Sequence, residues 1–379
     1  MEEKQVYLFG CVEKNIGDDL FIYAVCKRYP NVNFIITYEA NYLNINNIPN
    51  LFYNKNLTKW LRFANKESDN IISRNINAIF EKIYRLKLKK LDSVYIVGNA
   101  FKNMNYKGKY QLKWLERRIA MSNNFFLIST NYGPTNNDNW QKDCYTIFSE
   151  MTDVCFRDTY SYKLFSDLKN VRYAPDAVLS LDIQPIKNDK NSKLSLKEYV
   201  IISVIDCMME ERSEKLKKTA TSYEDKMISL INSFNEDNIE VIILNSNTIQ
   251  DGPASQRIFN KCIYKNMVSI FNYDGNLEDI FSLFSNAKAI IATRLHTIIL
   301  GWLYKLPVIP VIYDIKVENL LKSYKFSGLK KHISDLNDLN YEEIKSSISN
   351  YSYVLPENII NDSNNQFKQI DKLLKKEDI

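Results

Sequence analysis

One stretch constrains this chain more than any other: AKAIIATRLHTIILGWLYKLPVIPVIYDIKVENLL, residues 287–321. Residues 287–293 are a short apolar run closed by a threonine, which suits a buried parallel strand. Arg294, Leu295 and His296 stand at its C-terminal end. The spacing predicts a helix over 297–304, stopped by Pro307. Residues 308–313 read as a second, β-branched strand with Asp314, Ile315 and Lys316 at its exit, and 317–324 as another helix. In open parallel sheets ligands bind outside the carboxyl ends of the strands. Two cations, an imidazole and two helix N-termini are therefore expected to face one crevice, an arrangement suited to a small, highly charged anion.

The rest of the chain supports the same architecture. At 379 residues it has room for two cores. A net charge of +5 is too modest for a dedicated nucleic-acid binder. No apolar run can span a bilayer, and the acidic start MEEKQVYLFG is unlike a signal peptide, so a cytoplasmic protein is expected. Six cysteines without a C-x-x-C pair, and only two histidines, argue against a structural zinc site or a disulfide framework.

In chain order, strands are expected at 6–11, 34–37, 94–97, 125–129, 152–156, 171–174, 199–205, 241–245 and 268–271. Helices are expected at 20–29, 71–90, 110–121, 161–168, 222–234, 256–263, 277–285, 341–351 and 364–376. Gly17 and Asp18 read as a tight turn and helix cap, or as a ligand loop. Three strand exits in the first half carry small, polar or aromatic loops: 13–19, 98–101 and 130–134. Basic residues at 85–90 and 113–118 fit solvated helix faces. The polar run 186–198 is the expected linker. This gives an α/β chain of two Rossmann-like domains facing a cleft: 1–185, the linker, 199–345, and a C-terminal helical segment over 346–379.

The residues also point to chemistry. Arg294 and Lys316 lie at adjacent strand exits and require an anionic partner, and Asp314 could neutralise one of them. Arg157 stands at another strand exit; with Asp158 it reads, taken alone, as a surface ion pair.

Taken together, the pieces resemble the polysaccharide pyruvyl transferase family. In the family's order they are Asn15-Ile16-Gly17-Asp18, the Gly98 loop, Asn131-Tyr132-Gly133-Pro134, Arg157-Asp158 with Ser161, Ala174-Pro175-Asp176, Asp251-Gly252, Thr293-Arg294-Leu295-His296 and Tyr313-Asp314-Ile315-Lys316. Gly98-Asn99-Ala100 stands where the family often has a Gly-rich loop. The resemblance implies a GT-B-like fold and transfer of a pyruvyl group from phosphoenolpyruvate to a sugar, giving a cyclic ketal in cell-surface polysaccharide synthesis. It implies that Arg157, Arg294, Leu295 and Lys316 hold the donor, and that His296 is a general acid with Asp18 assisting. Asn15, Gly17, Asp19, Asn99 and Asn131 are left on the acceptor side. Neither cofactor nor metal is implied, since three cations already offset the donor charge. The acceptor could be a lipid-linked oligosaccharide met at the inner face of the membrane, with the basic helix faces giving peripheral contact. Two rivals share the pattern: a GT-B glycosyltransferase using a nucleotide sugar, and a non-catalytic carbohydrate-binding protein.

Overall fold

The computed structural model describes residues 4–10, 14–36, 47–54, 90–98, 101, 107–133, 135, 138–183 and 198–375. All but the last residue of the expected helix over 71–90, all but the end of the 186–198 linker, Asn99 and all of the basic run at 85–90 except Lys90 lie outside the described residues.

Among the described residues the strands form two parallel sheets. The first contains β1 (Lys4–Phe9), β2 (Val32–Ile36), β3 (Leu51–Tyr53), β4 (Leu91–Ile96), β5 (Ser122–Thr130), β6 (Asp153–Phe156) and β7 (Val171–Tyr173), in the order β3-β2-β1-β4-β5-β6-β7. The second contains β8 (Tyr199–Ser203), β9 (Glu240–Asn245), β10 (Val268–Asn272), β11 (Ala289–Ala292), β12 (Val308–Ile312) and β13 (Lys331–His332), in the order β10-β9-β8-β11-β12-β13. The strand–helix alternation of the sequence is thus that of an α/β fold with two Rossmann-like sheets. Every residue of β8, β11 and β12 is buried, as expected for strands covered on both faces. Each Val, Leu or Ile so buried contributes roughly 1.5–3 kcal/mol.

Three local features have simple causes, and two of them are differences from the sequence reading. The segment after Pro175 is a 3₁₀ helix, Ala177–Ser180, because Asp176 Oδ1 accepts from the Val178 N–H and pulls the backbone into a turn. The helix expected at 256–263 begins earlier, at Thr248–Lys261, capped by Asn247 and tolerating Pro253 inside its length. Arg118, counted among the solvated basic residues, is buried; its guanidinium lies 3.5 Å from the Trp114 ring centroid and donates to the Trp114 carbonyl. Aromatic faces and a backbone acceptor replace the water that the charge would otherwise need.

The chain divides into two compact units that are not continuous in sequence. The first comprises residues 1–12, 20–180 and 361–379; the second comprises 13–19 and 181–360. The end of the chain therefore belongs to the first unit instead of following the second. Gln366 is fully buried there: its Oε1 accepts from the Ser129 N–H (2.8 Å), and its Nε2 donates to the carbonyls of Ala174 (2.7 Å) and Pro175 (3.0 Å). Arg28 forms a double hydrogen bond to Asp371 alongside it.

Gln366→Ala would leave these buried backbone groups unpaired, at about 1–3 kcal/mol each and less than additively. A total loss of about 3 kcal/mol is expected, read as a lower urea midpoint with an unchanged slope.

Candidate active site

The second unit gathers charge at the C-terminal ends of its strands. Helix Leu295–Leu303 starts immediately after β11 and lies directly on the sheet. A Cβ at Gly301 would come 2.5 Å from Val308 Cγ2 and 3.0 Å from Ile290 Cδ1, so only glycine allows this approach. That contact fixes the helix N-terminus, and with it Arg294, at the strand exit.

Arg294 does not project as an unpartnered cation. Its Nε donates to Asp251 Oδ2 (3.0 Å), and its Nη2 donates to Asp251 Oδ1 and to Gln250 Oε1 (3.1 Å). Asp251 is fully buried in the first turn of helix Thr248–Lys261, and also accepts from the Asn247 N–H (3.2 Å). Burial alone would weaken the arginine's charge, but the charge of Asp251 more than reverses this, and the guanidinium is held protonated. Asp314, offered by the sequence as the neutralising partner, instead caps helix Ile315–Ser323 by accepting from the Lys316 N–H. The first carboxylate lies on a rigid buried turn facing the guanidinium, whereas the second is consumed by its own helix. With one edge of the guanidinium fixed, Nη1 remains directed elsewhere, a geometry suited to binding a further oxyanion.

Lys316 lies over the ring of Tyr313, its Nζ 5.3 Å from the centroid, and Arg212 lies 5.4 Å from the same centroid. Arg212, in the segment after β8, is a site residue that sequence reasoning missed. It follows a strand exit by nine positions in a stretch with no motif, and only its contact with Tyr313 reveals it. Leu295 has a buried side chain, so the group it can offer a ligand is its backbone N–H at the uncapped helix start.

His296 sits in the first turn of this helix, half-buried, against Gly17. A Cβ at Gly17 would overlap the imidazole, with Cε1 at 2.6 Å and Cγ at 2.8 Å. The glycine is not a turn residue, as the sequence suggested. It is the second residue of helix Ile16–Arg28, whose first turn Asn15 caps, its Oδ1 accepting from the Gly17 N–H (3.0 Å). Asn15 also bridges to Asn247, and the Ile16 N–H donates to the Ser246 carbonyl (3.0 Å). The segment that opens the chain's first loop is therefore built into the second unit, beneath its histidine.

The two neighbouring acids differ. Asp18 is half-buried in the helix's first turn. Asp19 is 4% exposed and accepts from the Tyr273 hydroxyl (2.6 Å), while its Oδ1 has no partner. Burial pushes its carboxyl up to about 7, against the pull of the Tyr273 hydrogen bond and with a push from the Asp18 charge.

In the first unit, Arg157 follows β6. Its Nη1 donates to Asp176 Oδ2 (2.8 Å) and its Nη2 to Asn131 Oδ1 (3.0 Å). Its side chain is 8% exposed and that of Asp176 is 1% exposed, so this is a buried ion pair. Asp158 is not its partner; it caps helix Thr159–Leu164 through the Ser161 N–H (2.7 Å). A Cβ at Gly98 would come 2.9 Å from Arg157 Nη2, so the glycine makes room for the guanidinium. Asn131 donates its N–H to the Gly98 carbonyl and fixes that approach.

Two outcomes follow. Gly17→Ala should displace the imidazole and lower turnover on the order of a hundredfold, since misplacement by about 1 Å carries that cost, with little change in the urea midpoint. Asp19 contributes stability that is full below its ordinary value of 3.8 and is lost as pH rises through about 7. Asp19→Asn should remove that contribution, so the difference in unfolding free energy between wild type and variant should shift toward the variant between pH 5 and pH 7.5, by up to about 1.4 kcal/mol per pH unit.

Comparison with known proteins agrees with this architecture. The chain is similar in structure to UDP-GlcNAc 2-epimerase from Methanocaldococcus jannaschii, with a TM-score of 0.60 and 13% identity over 98% of this chain and 99% of that one. It is similar to Anabaena HepE, solved in complex with UDP and glucose, with a TM-score of 0.54 and 10% identity over 99% and 100% of the two chains. It is also similar to UDP-GlcNAc 2-epimerase from Neisseria meningitidis, solved bound to UDP-GlcNAc, with a TM-score of 0.52 and 12% identity over 98% and 100%. These likenesses establish a GT-B-type fold. No curated protein sequence matches the chain. The family model for polysaccharide pyruvyl transferase matches residues 15–315, a span that runs from the Asn15 cap through the Arg294–His296 exit. The chain belongs to the polysaccharide pyruvyl transferase family.

Proposed function

We propose that this protein transfers a pyruvyl group from phosphoenolpyruvate to a sugar. The observation that carries the reading is the convergence of Arg212, Lys316 and the Asp251-anchored Arg294 on Tyr313, with Arg294 two residues before His296, a histidine seated in a glycine-made niche. Phosphoenolpyruvate carries a phosphate and a carboxylate on three carbons. A guanidinium binds such groups through paired N–H donors and an ammonium binds them as a point charge.

In this reaction one sugar hydroxyl attacks C2 of the donor as C3 gains a proton. A second hydroxyl of the same sugar then attacks C2 and displaces phosphate, closing the cyclic ketal. Two hydroxyl protons leave; one ends on the new methyl group and one on the phosphate. His296 is the general acid. Asp18, half-buried next to Gly17 in the same first helical turn, assists at the acceptor hydroxyl, with Asn15 and Asn131 as acceptor contacts. Arg157 carries a donor-binding role by family resemblance, in addition to its ion pair with Asp176.

Among the described residues no helix is long and apolar enough to cross a membrane. We place the reaction in the cytoplasm, with a lipid-linked acceptor met at the inner face of the membrane. Salt-sensitive flotation with anionic liposomes tests that placement.

A nucleotide sugar as donor is the second reading, favoured by the UDP and UDP-GlcNAc bound to the structural relatives. The two separate cleanly. Saturating phosphoenolpyruvate should raise the melting temperature, by the equivalent of about 2.7 kcal/mol at one hundred times its Kd. It should also release inorganic phosphate with a panel of galactosides and N-acetylhexosamines, without added metal. UDP release from UDP-sugars, with no phosphate from phosphoenolpyruvate, would replace this reading with the second. His296→Gln should retain donor binding and lose turnover by about 10²–10⁴-fold, because an amide hydrogen-bonds but supplies no proton.

A further inference from the structure

Tyr313 is the residue on which Arg212, Arg294 and Lys316 converge, and its own chemistry is unaccounted for. Its hydroxyl oxygen is buried and has no hydrogen-bond partner among the described residues. The groups facing it come from three strand-exit segments. Lys316 and Asp314 come from the segment after β12, Arg294 from the start of the helix after β11, and Arg212 from the segment after β8. Asp251, at the exit of β9, reaches Tyr313 only through Arg294, whose Nε and Nη2 it occupies.

A buried, unpartnered phenol among three cations can be satisfied in two ways. It can donate its proton in a hydrogen bond to an anion brought in from outside. Alternatively it can lose the proton and become the cluster's own counter-charge. The two are mutually exclusive, because a phenolate repels the anion it would otherwise bind.

We propose that Tyr313 is both the donor-binding hydroxyl of this site and its internal counter-ion: as a phenol it hydrogen-bonds an oxygen of the bound phosphorylated carboxylate, and as a phenolate it takes that ligand's place between Arg212, Arg294 and Lys316. The identity of the ligand rests on the functional reading above; the tyrosine's two states do not.

The electrostatics agree with the geometry. Burial alone would push the phenol up, but Lys316, Arg294 and Arg212 outweigh both burial and Asp314 and bring it down from 10.0 to about 8. Only the phenol form donates to the ligand. Donor affinity is therefore full below pH 8 and falls as pH rises through that value, approaching tenfold per pH unit. Guanidinium groups stay charged throughout this range, so the loss belongs to the tyrosine. The same linkage requires that a bound donor hold the phenol protonated to higher pH.

The test is a spectrophotometric tyrosinate titration of ligand-free wild type against Tyr313→Phe, repeated with saturating phosphoenolpyruvate, inorganic phosphate and UDP. Calorimetric affinities for phosphoenolpyruvate at pH 7 and pH 9 complete it. Wild type should show one tyrosine ionising near pH 8 that the variant lacks, and phosphoenolpyruvate should move it upward by more than one pH unit. Wild-type affinity should fall about tenfold between pH 7 and pH 9, whereas Tyr313→Phe should bind more weakly at pH 7 and show no such fall. A merely structural tyrosine would not change the slope. Arg212→Gln provides a second variant: it should move the tyrosine's ionisation to higher pH. If the Tyr313→Phe difference spectrum is flat between pH 7 and pH 9, or Arg212→Gln leaves the wild-type titration unmoved, the inference is overturned. If the tyrosine titrates as described but phosphate or UDP suppresses it and phosphoenolpyruvate does not, the two-state tyrosine stands and the donor assignment is what fails.

Discussion

A single buried carboxylate sets the geometry of the second unit. Asp251 accepts two hydrogen bonds from Arg294 and one from the Asn247 backbone, and is itself wholly shielded from water. Breaking one partner of such a pair costs about 3–5 kcal/mol, since the other is left charged in a medium that cannot solvate it. The arginine is therefore fixed more firmly than any surface cation, and every group placed relative to it inherits that precision. His296 lies two residues on, and Tyr313 lies within reach of its charge.

The first unit solves the same problem in the same way. Arg157, at the exit of β6, is held by the buried Asp176 and by the Asn131 side-chain amide. Arg294, at the exit of β11, is held by the buried Asp251 and by the Gln250 side-chain amide. In each case a carboxylate removes the electrostatic cost of burying a guanidinium, and an amide fixes its plane without adding charge. A glycine that makes room completes each arrangement: Gly98 for the Arg157 guanidinium, and Gly17 for the His296 ring. Glycines of this kind are chosen for the absence of a Cβ, since neither has a positive φ.

The sheets were legible in the sequence because strands buried on both faces must be continuously apolar, and the alternation of such runs with helical periodicity admits few architectures. The strand exits are legible for the same reason, and with them Arg294, His296 and Lys316, whereas Arg157 stands out only through the family resemblance. What could not be read were relations between distant segments. Nothing near Gly17 announces a histidine far along the chain. Asp251 looks like any acid in a first helical turn, and Asp314, nearer in sequence to Lys316, looked the better partner for a cation. Arg212 sits in a stretch without periodicity. Arg118 carries the same charge as its exposed neighbour Lys113, and the rings of Trp114 and Phe9 against it explain its burial. Gln366, near the end of the chain, gives no sign of the backbone groups it satisfies.

The division of the chain into units that are each broken in sequence has a consequence for how such a protein can change over evolutionary time. Residues 13–19 serve the second unit and residues 361–379 serve the first. A single recombination crossover between the two sheets would deliver neither unit whole. The half carrying His296 would arrive with whatever residue its new neighbour supplied in place of Gly17, and the half carrying Ser129 and Ala174 would arrive without Gln366. The two units of such a chain are thus inherited together, and specificity has to diversify by substitution within loops instead of by exchange of domains.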